Sequence, residues 1–213
     1  MKIVSLTLAR GGSKGVKRKN LALINGRPLV SYVVETANNS NVEETWVSTE
    51  DSEIAEVAAS YGAKIMERPP EMATDVSKCE ESLLHFAQNV DFDVLVFIQA
   101  TSPLVEPEDI NRGIELIKTG QYDSVFSVTR EHWVPRWTSD LKPVDWDPFC
   151  RPRRQEKEVS YIENGAFYIT TSEFLLKNKN RYGGIMGFVE LPLARSFQVD
   201  SQEEIDLIGK LLR

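Results

Sequence analysis

Glycines and cations concentrate in one stretch near the amino end of the chain, residues 8–20. The glycines are Gly11, Gly12 and Gly15, and the cations are Arg10, Lys14, Lys17, Arg18 and Lys19. Glycine lets backbone N–H groups approach a ligand closely, and clustered cations attract an anion. The stretch follows an apolar run over 2–8 that predicts a buried first strand. This combination at the end of a strand is typical of a polyphosphate site.

The familiar phosphate-binding motifs are absent from this stretch. A P-loop needs Ser or Thr after its lysine, whereas Gly15 follows Lys14, and the Gly-x-Gly-x-x-Gly fingerprint is missing. The sequence therefore favours neither a P-loop NTPase nor a nicotinamide enzyme. A glycine turn beside an ordinary solvated charged face is the simpler alternative. The net charge of −7 argues against it, because this acidic chain gathers its cations beside a strand end.

Composition limits the partners of the protein. With 213 residues and 41% of them hydrophobic, the chain can form one domain, 1–213, around a full core. Its net acidity argues against nucleic acid as a partner, because such binding needs an extended basic face. No apolar run approaches the roughly 18 residues of a membrane span and no signal-peptide pattern is present, so we expect a cytoplasmic protein without membrane association. Cys79 and Cys150 are too few for a disulfide framework or a cysteine metal cluster.

Strand-like and helix-like segments alternate along the chain. Predicted strands cover 2–8, 44–49, 63–66, 93–98, 123–128 and 187–191, and predicted helices cover 28–38, 51–61, 77–89 and 107–118. Asp51, the pair Ser77 and Glu80, and the pair Ser201 and Glu204 mark three helix starts. Helices that alternate with strands predict an α/β fold with a three-layer, doubly wound, mainly parallel sheet.

The segment Leu8-Ala9-Arg10-Gly11-Gly12-Ser13-Lys14-Gly15, followed by Lys19-Asn20, resembles the nucleotide-binding loop of the acylneuraminate cytidylyltransferases. Those enzymes activate sialic acids and related nonulosonic acids as CMP-sugars, on a Rossmann-like nucleotidyltransferase fold. This chain has Lys17 where the family often has proline. The resemblance implies a nucleotide site made of Leu8, Ala9, Arg10, Gly11, Gly12, Ser13, Lys19, Asn20, Arg68 and Gln99.

A polar segment follows the predicted central strand over 93–98. Gln99 stands at the carboxyl end of this strand, where an amide can read a base. The resemblance places Gln99, Thr101 and Ser102 beside the nucleotide and the sugar. Thr101 and Ser102 precede Pro103, so a plain turn is the alternative for these two hydroxyls. For Arg68 the alternative is a surface ion pair.

Residues 130–160 change character and carry Trp133, Trp137 and Trp146 with no clean periodicity. Three tryptophans in a small insertion favour an interface over a mobile hydrophilic loop. The resemblance implies a dimerisation arm that reaches over the site of the neighbouring subunit. We therefore expect a homodimer.

The resemblance also implies a sugar site and a metal site. The sugar site comprises Gln99, Thr101, Ser102, Arg154, Gln155, Tyr161, Asn164, Gly165 and Phe167. Arg154 can bind a sugar carboxylate with two parallel hydrogen bonds, in its own site or in that of a partner subunit. For Asn164 and Gly165 the alternative is a tight turn into a strand. Asp200 matches the second carboxylate of an Asp-x-Asp pair that holds Mg²⁺ in the family, and Gln198 replaces the first. The alternative for Asp200 is an interaction with the dipole of the following helix.

The implied reaction joins CTP to an acidic nine-carbon sugar and releases pyrophosphate. Arg10, Lys14, Lys19 and Asp200 with Mg²⁺ are the expected catalytic groups. Two other functions stay open. The motifs Asp91-Phe92-Asp93 and Asp145-Trp146-Asp147 have the Asp-x-Asp form of a metal-dependent glycosyltransferase. Gln198 and Cys79, which depart from the family pattern, are compatible with a CTP-binding module that lacks catalysis.

Overall fold

A seven-stranded sheet forms the centre of the computed structural model, which describes residues 1–212. Its strands are β1 (Ile3–Leu8), β2 (Glu44–Thr49), β3 (Lys64–Glu67), β4 (Val94–Gln99), β5 (Ser124–Arg130), β6 (Tyr161–Thr171) and β7 (Met186–Glu190). They lie in the order β7-β5-β6-β4-β1-β2-β3. β6 runs antiparallel to β4 and β5, whereas the other neighbouring pairs are parallel. The predicted mainly parallel sheet is confirmed.

Helices cover both faces of this sheet. They are α1 (Leu29–Asn38), α2 (Ser52–Ser60), α3 (Cys79–Asn89), α4 (Pro107–Lys118), α5 (Ser172–Asn178) and α6 (Gln202–Leu211). Because side chains alternate along a strand, Ile3 and Ile98 pack with α1 and α4, whereas Leu6 and Phe97 pack with α3 and α5. The three-layer architecture is therefore confirmed. None of the helices within residues 1–212 has the length and apolarity that a membrane span requires.

Two of the three predicted helix caps are confirmed. Asp51 accepts hydrogen bonds from two backbone N–H groups in the first turn of α2, at 3.0 and 3.1 Å. Ser201 and Glu204 form the reciprocal capping box that begins α6. In each case a short polar side chain satisfies backbone donors that have no partner inside the helix.

The third predicted cap, Ser77 with Glu80, is wrong. Helix α3 begins at Cys79 with Lys78 at its N-cap, one residue later than the box would place it. The hydroxyl of Ser77 instead donates to the carbonyl oxygen of Glu71 at 2.9 Å. A bond back into the preceding loop has therefore replaced the bond forward into the helix.

The order in which the chain adds strands reverses at β1: β2 and β3 lie on one side of it, and β4 lies on the other. Chain connections on the two sides of such a strand diverge and leave a crevice at its carboxyl end, where open α/β sheets bind ligands. In the register of the sheet, Leu8 at the end of β1 lies opposite both Ser48 and Gln99. The glycine-rich stretch after β1 and the polar end of β4 thus meet at one edge.

Residues 131–160 contain a short antiparallel ribbon, Arg136–Trp137 with Pro143–Val144, and two 3-10 turns. Trp146 packs edge-on against Trp137 and Trp133, with ring centroids 4.9 and 6.4 Å apart. The tryptophans thus pack on one another, while Phe149 is fully exposed. The assignment of this segment as a dimerisation arm within a single domain stays a prediction.

Candidate active site

A cavity of about 320 Å³ opens at the carboxyl ends of β1 and β4. Three segments line it: Leu8, Arg10, Ser13, Lys14, Lys19 and Asn20 after β1, then Arg68, Met72, Thr74, Asp75, Ser77, Lys78, Cys79 and Ser82, then Phe97, Gln99, Ala100 and Thr101. We call residues 9–20 the cationic loop and residues 73–78 the acidic-tip loop. The cavity is therefore built at the crevice that the strand order predicts.

The cations of the loop divide into two groups. Arg10, Lys14 and Lys19 line the cavity. Arg18 has a left-handed backbone conformation, φ 51°, and pairs with the acids at the start of α2 instead. Lys17 is exposed and lies outside the lining. Of the five clustered cations, the three that line the cavity are therefore the three that were predicted to contact phosphate.

Hydrogen bonds to neighbouring elements hold the cationic loop in shape. The N–H of Ala9 donates to the carbonyl of Ser48 at 3.0 Å, and the N–H of Gly11 donates to Glu50 Oε1 at 2.7 Å. Asn20 is buried and donates its Nδ2 to the carbonyl of Arg10 at 2.9 Å. Ala9, Gly11 and Asn20 thus fix the loop backbone.

Gly12 and Gly15 differ in the space around them. A Cβ at Gly15 would lie 2.2 Å from the carbonyl oxygen of Asp200, so only glycine allows this approach. A Cβ at Gly12 would meet nothing within 4 Å. Close contact between the cationic loop and the segment before α6 therefore depends on Gly15.

Arg68 is not a surface residue, although a surface ion pair was one interpretation of the sequence. It is only 4% exposed, lines the cavity and pairs with Glu50 through an Nη2–Oε2 distance of 3.0 Å. Its Nε is buried and has no hydrogen-bond partner within the described chain. Arg68 therefore forms part of the cavity wall as one half of a largely buried ion pair.

Glu50 is a site residue that sequence reasoning missed. Its two carboxylate oxygens accept from the backbone of Gly11 and from the guanidinium of Arg68, so it joins the cationic loop to the opposite wall. The available signal was its position directly after β2, the strand beside β1. An acid placed there can reach across the strand ends.

Asp75, at the acidic-tip loop, was also missed. Its Oδ1 lies 2.9 Å from Arg10 Nη2, and its Oδ2 lies 2.9 Å from Lys14 Nζ. The hydrogen bond from Lys14, with a further one from Arg10, lowers the pKa of the Asp75 carboxyl below its ordinary value. In this structure a charged carboxylate is thus bound between Arg10 and Lys14.

Of the polar residues at the end of β4, some line the cavity and one does not. Gln99 and Thr101 line the cavity, and the Thr101 hydroxyl donates to Gln99 Oε1 at 3.5 Å. Ser102 is 1% exposed and lies outside the cavity lining. Within the cavity wall, the polar groups of this segment are therefore Gln99 and Thr101.

A bulge in β6 places the predicted residues Asn164 and Gly165 near the end of β4. Gly165 has φ +69°, and a Cβ there would lie 2.9 Å from Gln198 Nε2 and 3.2 Å from Gln99 Nε2. Gln198 Nε2 donates to the carbonyl of Asn164 at 2.6 Å, and Asn164 Oδ1 accepts from Ser127 at 2.6 Å. The turn at Asn164 and Gly165 thus brings the amides of Gln99 and Gln198 together.

The remaining predicted sugar residues lie elsewhere in this chain. Arg154 borders a groove against Trp133 in the 131–160 segment, and Gln155 is exposed in the same turn. Tyr161 packs against Phe188 with ring centroids 4.7 Å apart. Phe167 is fully buried in the core, because its position on β6 points it toward α4. Its side chain is therefore not available to a sugar.

Asp200 and Gln198 are the predicted metal ligands. Asp200 is 70% exposed, and its Oδ1 lies 2.9 Å from Lys19 Nζ. Ser201, not Asp200, is the N-cap residue of α6, so the carboxylate of Asp200 does not cap that helix. No group of three or more metal-ligating side chains occurs among residues 1–212. Mg²⁺ commonly binds through one or two carboxylates plus substrate phosphates, and Asp200 supplies one such carboxylate beside the cavity-lining Lys19.

The fold and cavity define an α/β protein with a cation-lined cavity at the strand ends, and comparison with known proteins gives the family. Residues 4–211 match the family model described as cytidylyltransferase. The chain is 40% identical over 207 residues to N-acylneuraminate cytidylyltransferase A of Danio rerio, covering 93% of this chain and 48% of that protein. It is 34% identical over 200 residues to CMP-N,N'-diacetyllegionaminic acid synthase of Legionella pneumophila, covering 85% and 83%. The chain belongs to the cytidylyltransferase family.

A solved structure supports the fold independently. CMP:2-keto-3-deoxy-manno-octonic acid synthetase complexed with CTP superposes with a TM-score of 0.76 at 17% identity, covering 100% of this chain and 98% of that one. At this identity the likeness concerns the fold alone. The chain spans about half the length of several curated relatives that it matches, including the one from Danio rerio.

Proposed function

We propose that the protein transfers a cytidylyl group from CTP to a nonulosonic acid, forming a CMP-sugar and pyrophosphate. The observation that carries this proposal is the convergence of Arg10, Lys14 and Lys19 on one cavity in a member of the cytidylyltransferase family. The names of relatives support the sugar class, since they include an N-acylneuraminate and a legionaminic acid enzyme.

The nucleotide would lie between the cationic loop and the end of β4. Its triphosphate would contact Arg10, Lys14 and Lys19, and the amide of Gln99 would face the base or the sugar end of the ligand. Arg68 contributes a guanidinium group to the cavity wall. Planar guanidinium groups are well suited to phosphate oxygens because they donate two parallel hydrogen bonds.

In the reaction the anomeric hydroxyl oxygen of the sugar forms a bond to the α-phosphorus, and the bond from that phosphorus to pyrophosphate breaks. The proton of the hydroxyl passes to solvent water. Two anions must approach each other, so catalysis depends mainly on charge neutralisation and in-line positioning. Lys19 and Arg10 supply fixed positive charge where negative charge develops. The two histidines lie outside the cavity lining, which agrees with a mechanism that rests on cations.

Asp200 would hold Mg²⁺ with help from the amide of Gln198. When bound, the ion would neutralise phosphate charge and favour departure of pyrophosphate. Lys19, now paired with Asp200, would then be released toward the phosphates. Because Gln198 carries no charge, we expect weaker metal affinity than an Asp-x-Asp pair gives.

We expect the protein to be a cytoplasmic homodimer. In this dimer, Arg154 of the second copy of the chain would bind the sugar carboxylate. Two observations support this arrangement: Arg154 does not line the cavity of its own chain, and its segment exposes apolar side chains such as Phe149 and Leu141. Exposed apolar groups of this kind are typical of an interface. Sedimentation that finds only monomers at assay concentration would contradict the dimer.

The glycosyltransferase alternative loses support from the position of its motifs. Asp93 precedes β4 and accepts a hydrogen bond from the N–H of Lys2 at 2.6 Å, at the amino ends of the strands. The cavity lies at the opposite edge of the sheet. Asp147 caps a 3-10 turn in the 131–160 segment. Neither motif contributes a residue to the cavity lining within residues 1–212.

A substrate panel tests the proposed function. We expect pyrophosphate release when CTP, among the four nucleoside triphosphates, is combined with Mg²⁺ and a nine-carbon 2-keto-3-deoxy acid. Neither substrate alone should give release. CTP binding without turnover across all acids would indicate the non-catalytic module, and consumption of a nucleotide-sugar without pyrophosphate release would indicate a glycosyltransferase.

A further inference from the structure

The carboxylate of Asp75 lies where an anion belongs in the cavity. Each of its oxygens is 2.9 Å from one cation, Oδ1 from Arg10 Nη2 and Oδ2 from Lys14 Nζ. Both cations are assigned to the triphosphate under the proposed function, on which this inference rests. Carboxylate and phosphate oxygens use the same donor groups of arginine and lysine. A phosphate that contacts Arg10 and Lys14 in this way must therefore replace the carboxylate.

The acidic-tip loop can release Asp75 without disturbing the core. Asp75 is half-exposed, and its neighbour Val76 is almost fully exposed, so no apolar packing anchors the tip. The loop is braced mainly within itself: the Ser77 hydroxyl donates to the carbonyl of Glu71 at 2.9 Å and accepts from the N–H of Thr74 at 3.2 Å. Separation of the two ion pairs would therefore leave the loop structure intact.

We propose that Asp75 is an internal competitor for polyphosphate. It neutralises Arg10 and Lys14 in the free protein, gives way to the triphosphate of the incoming nucleotide, and returns to the cations when pyrophosphate leaves. By competing for the cations, the carboxylate lowers the apparent affinity for substrate and product alike, because only the fraction of molecules with free cations binds the ligand. Asp75 is thus a residue that sets nucleotide affinity and speeds product release.

Calorimetric titration of the full chain with inorganic pyrophosphate, and separately with CTP, tests this role. Asp75→Asn removes the competing charge, so the Kd for both ligands should fall about fivefold or more. Asp75→Glu keeps the charge and should return the Kd toward the wild-type value. Glu71→Gln is the matched control: it removes one exposed charge close by and outside the cavity lining, and should change the Kd less than twofold.

The results separate this inference from the proposed function. An unchanged Kd in Asp75→Asn would show that the carboxylate does not compete, and a higher Kd would show that it assists the ligand; either result overturns the inference. Pyrophosphate and CTP that bind neither the wild type nor the variant would overturn the proposed function as well. Asp75→Ser provides a second uncharged variant, and thermal unfolding verifies that each variant is folded.

Discussion

Lys19→Ala is expected to lower kcat for nucleotidyl transfer about 100- to 1,000-fold, the usual effect of removing one preorganised charge from a transition state. Lys19 lines the cavity and is mostly buried, so water replaces its ammonium poorly. The fold should survive, because the partner of Lys19 is the exposed Asp200 and such ion pairs contribute little stability. Initial rates of pyrophosphate release, with CTP and a nonulosonic acid, measure the effect.

Lys17→Ala is the matched control for this variant. It removes the same kind of side chain two positions earlier, from an exposed site outside the cavity lining. We expect its kcat to stay within twofold of the wild type. Equal rates for Lys19→Ala and the wild type would remove Lys19 from the catalytic groups, and equal losses in both variants would indicate a general effect of net charge.

Gly15→Ala is expected to reduce kcat/KM about 100-fold through geometry alone, since a misplacement of about 1 Å can cost that much. The added Cβ would lie 2.2 Å from the carbonyl oxygen of Asp200, so the cationic loop and the segment before α6 must move apart. That movement separates Lys19 from Asp200. Overpacking of this kind also costs about 1–3 kcal/mol of stability, which corresponds to a fall in Tm of several degrees.

Gly12→Ala serves as the stability control for Gly15→Ala. It adds the same methyl group to the same loop, but the new Cβ has no atom within 4 Å. Scanning calorimetry should find its Tm unchanged, whereas Gly15→Ala should unfold at a lower temperature. A Gly15→Ala protein with wild-type Tm and kcat/KM would mean that the loop and the segment before α6 are not held together by this contact.

Local patterns were enough to predict most of the sheet and part of the site. The apolar run over 2–8, the glycine-rich stretch after it and Gln99 at the end of β4 are contiguous signals, and the crevice follows from their order along the chain. The caps at Asp51 and Ser201 were also readable, because an N-cap acts over three residues.

Contacts between distant parts of the chain were beyond these patterns. Arg18 leaves the cation cluster because Asp51, more than thirty positions later, attracts it. Asp75 pairs with Arg10 and Lys14 only because the fold brings its loop over theirs. The antiparallel β6 was not predicted, because the bulge at Gly165 interrupts its alternation. The partners of such charges and the positions of such bulges depend on tertiary structure, so local sequence patterns do not predict them.

The structure of the protein crystallised with CTP and Mg²⁺ tests the central claim most directly, namely that Arg10, Lys14 and Lys19 form the triphosphate site. We expect phosphate oxygens at roughly 3 Å from these three side chains, the usual length of a charged hydrogen bond. We also expect the carboxylate of Asp75 to have left Arg10 and Lys14. A triphosphate bound away from the cationic loop would contradict the assignment of this cavity as the nucleotide site.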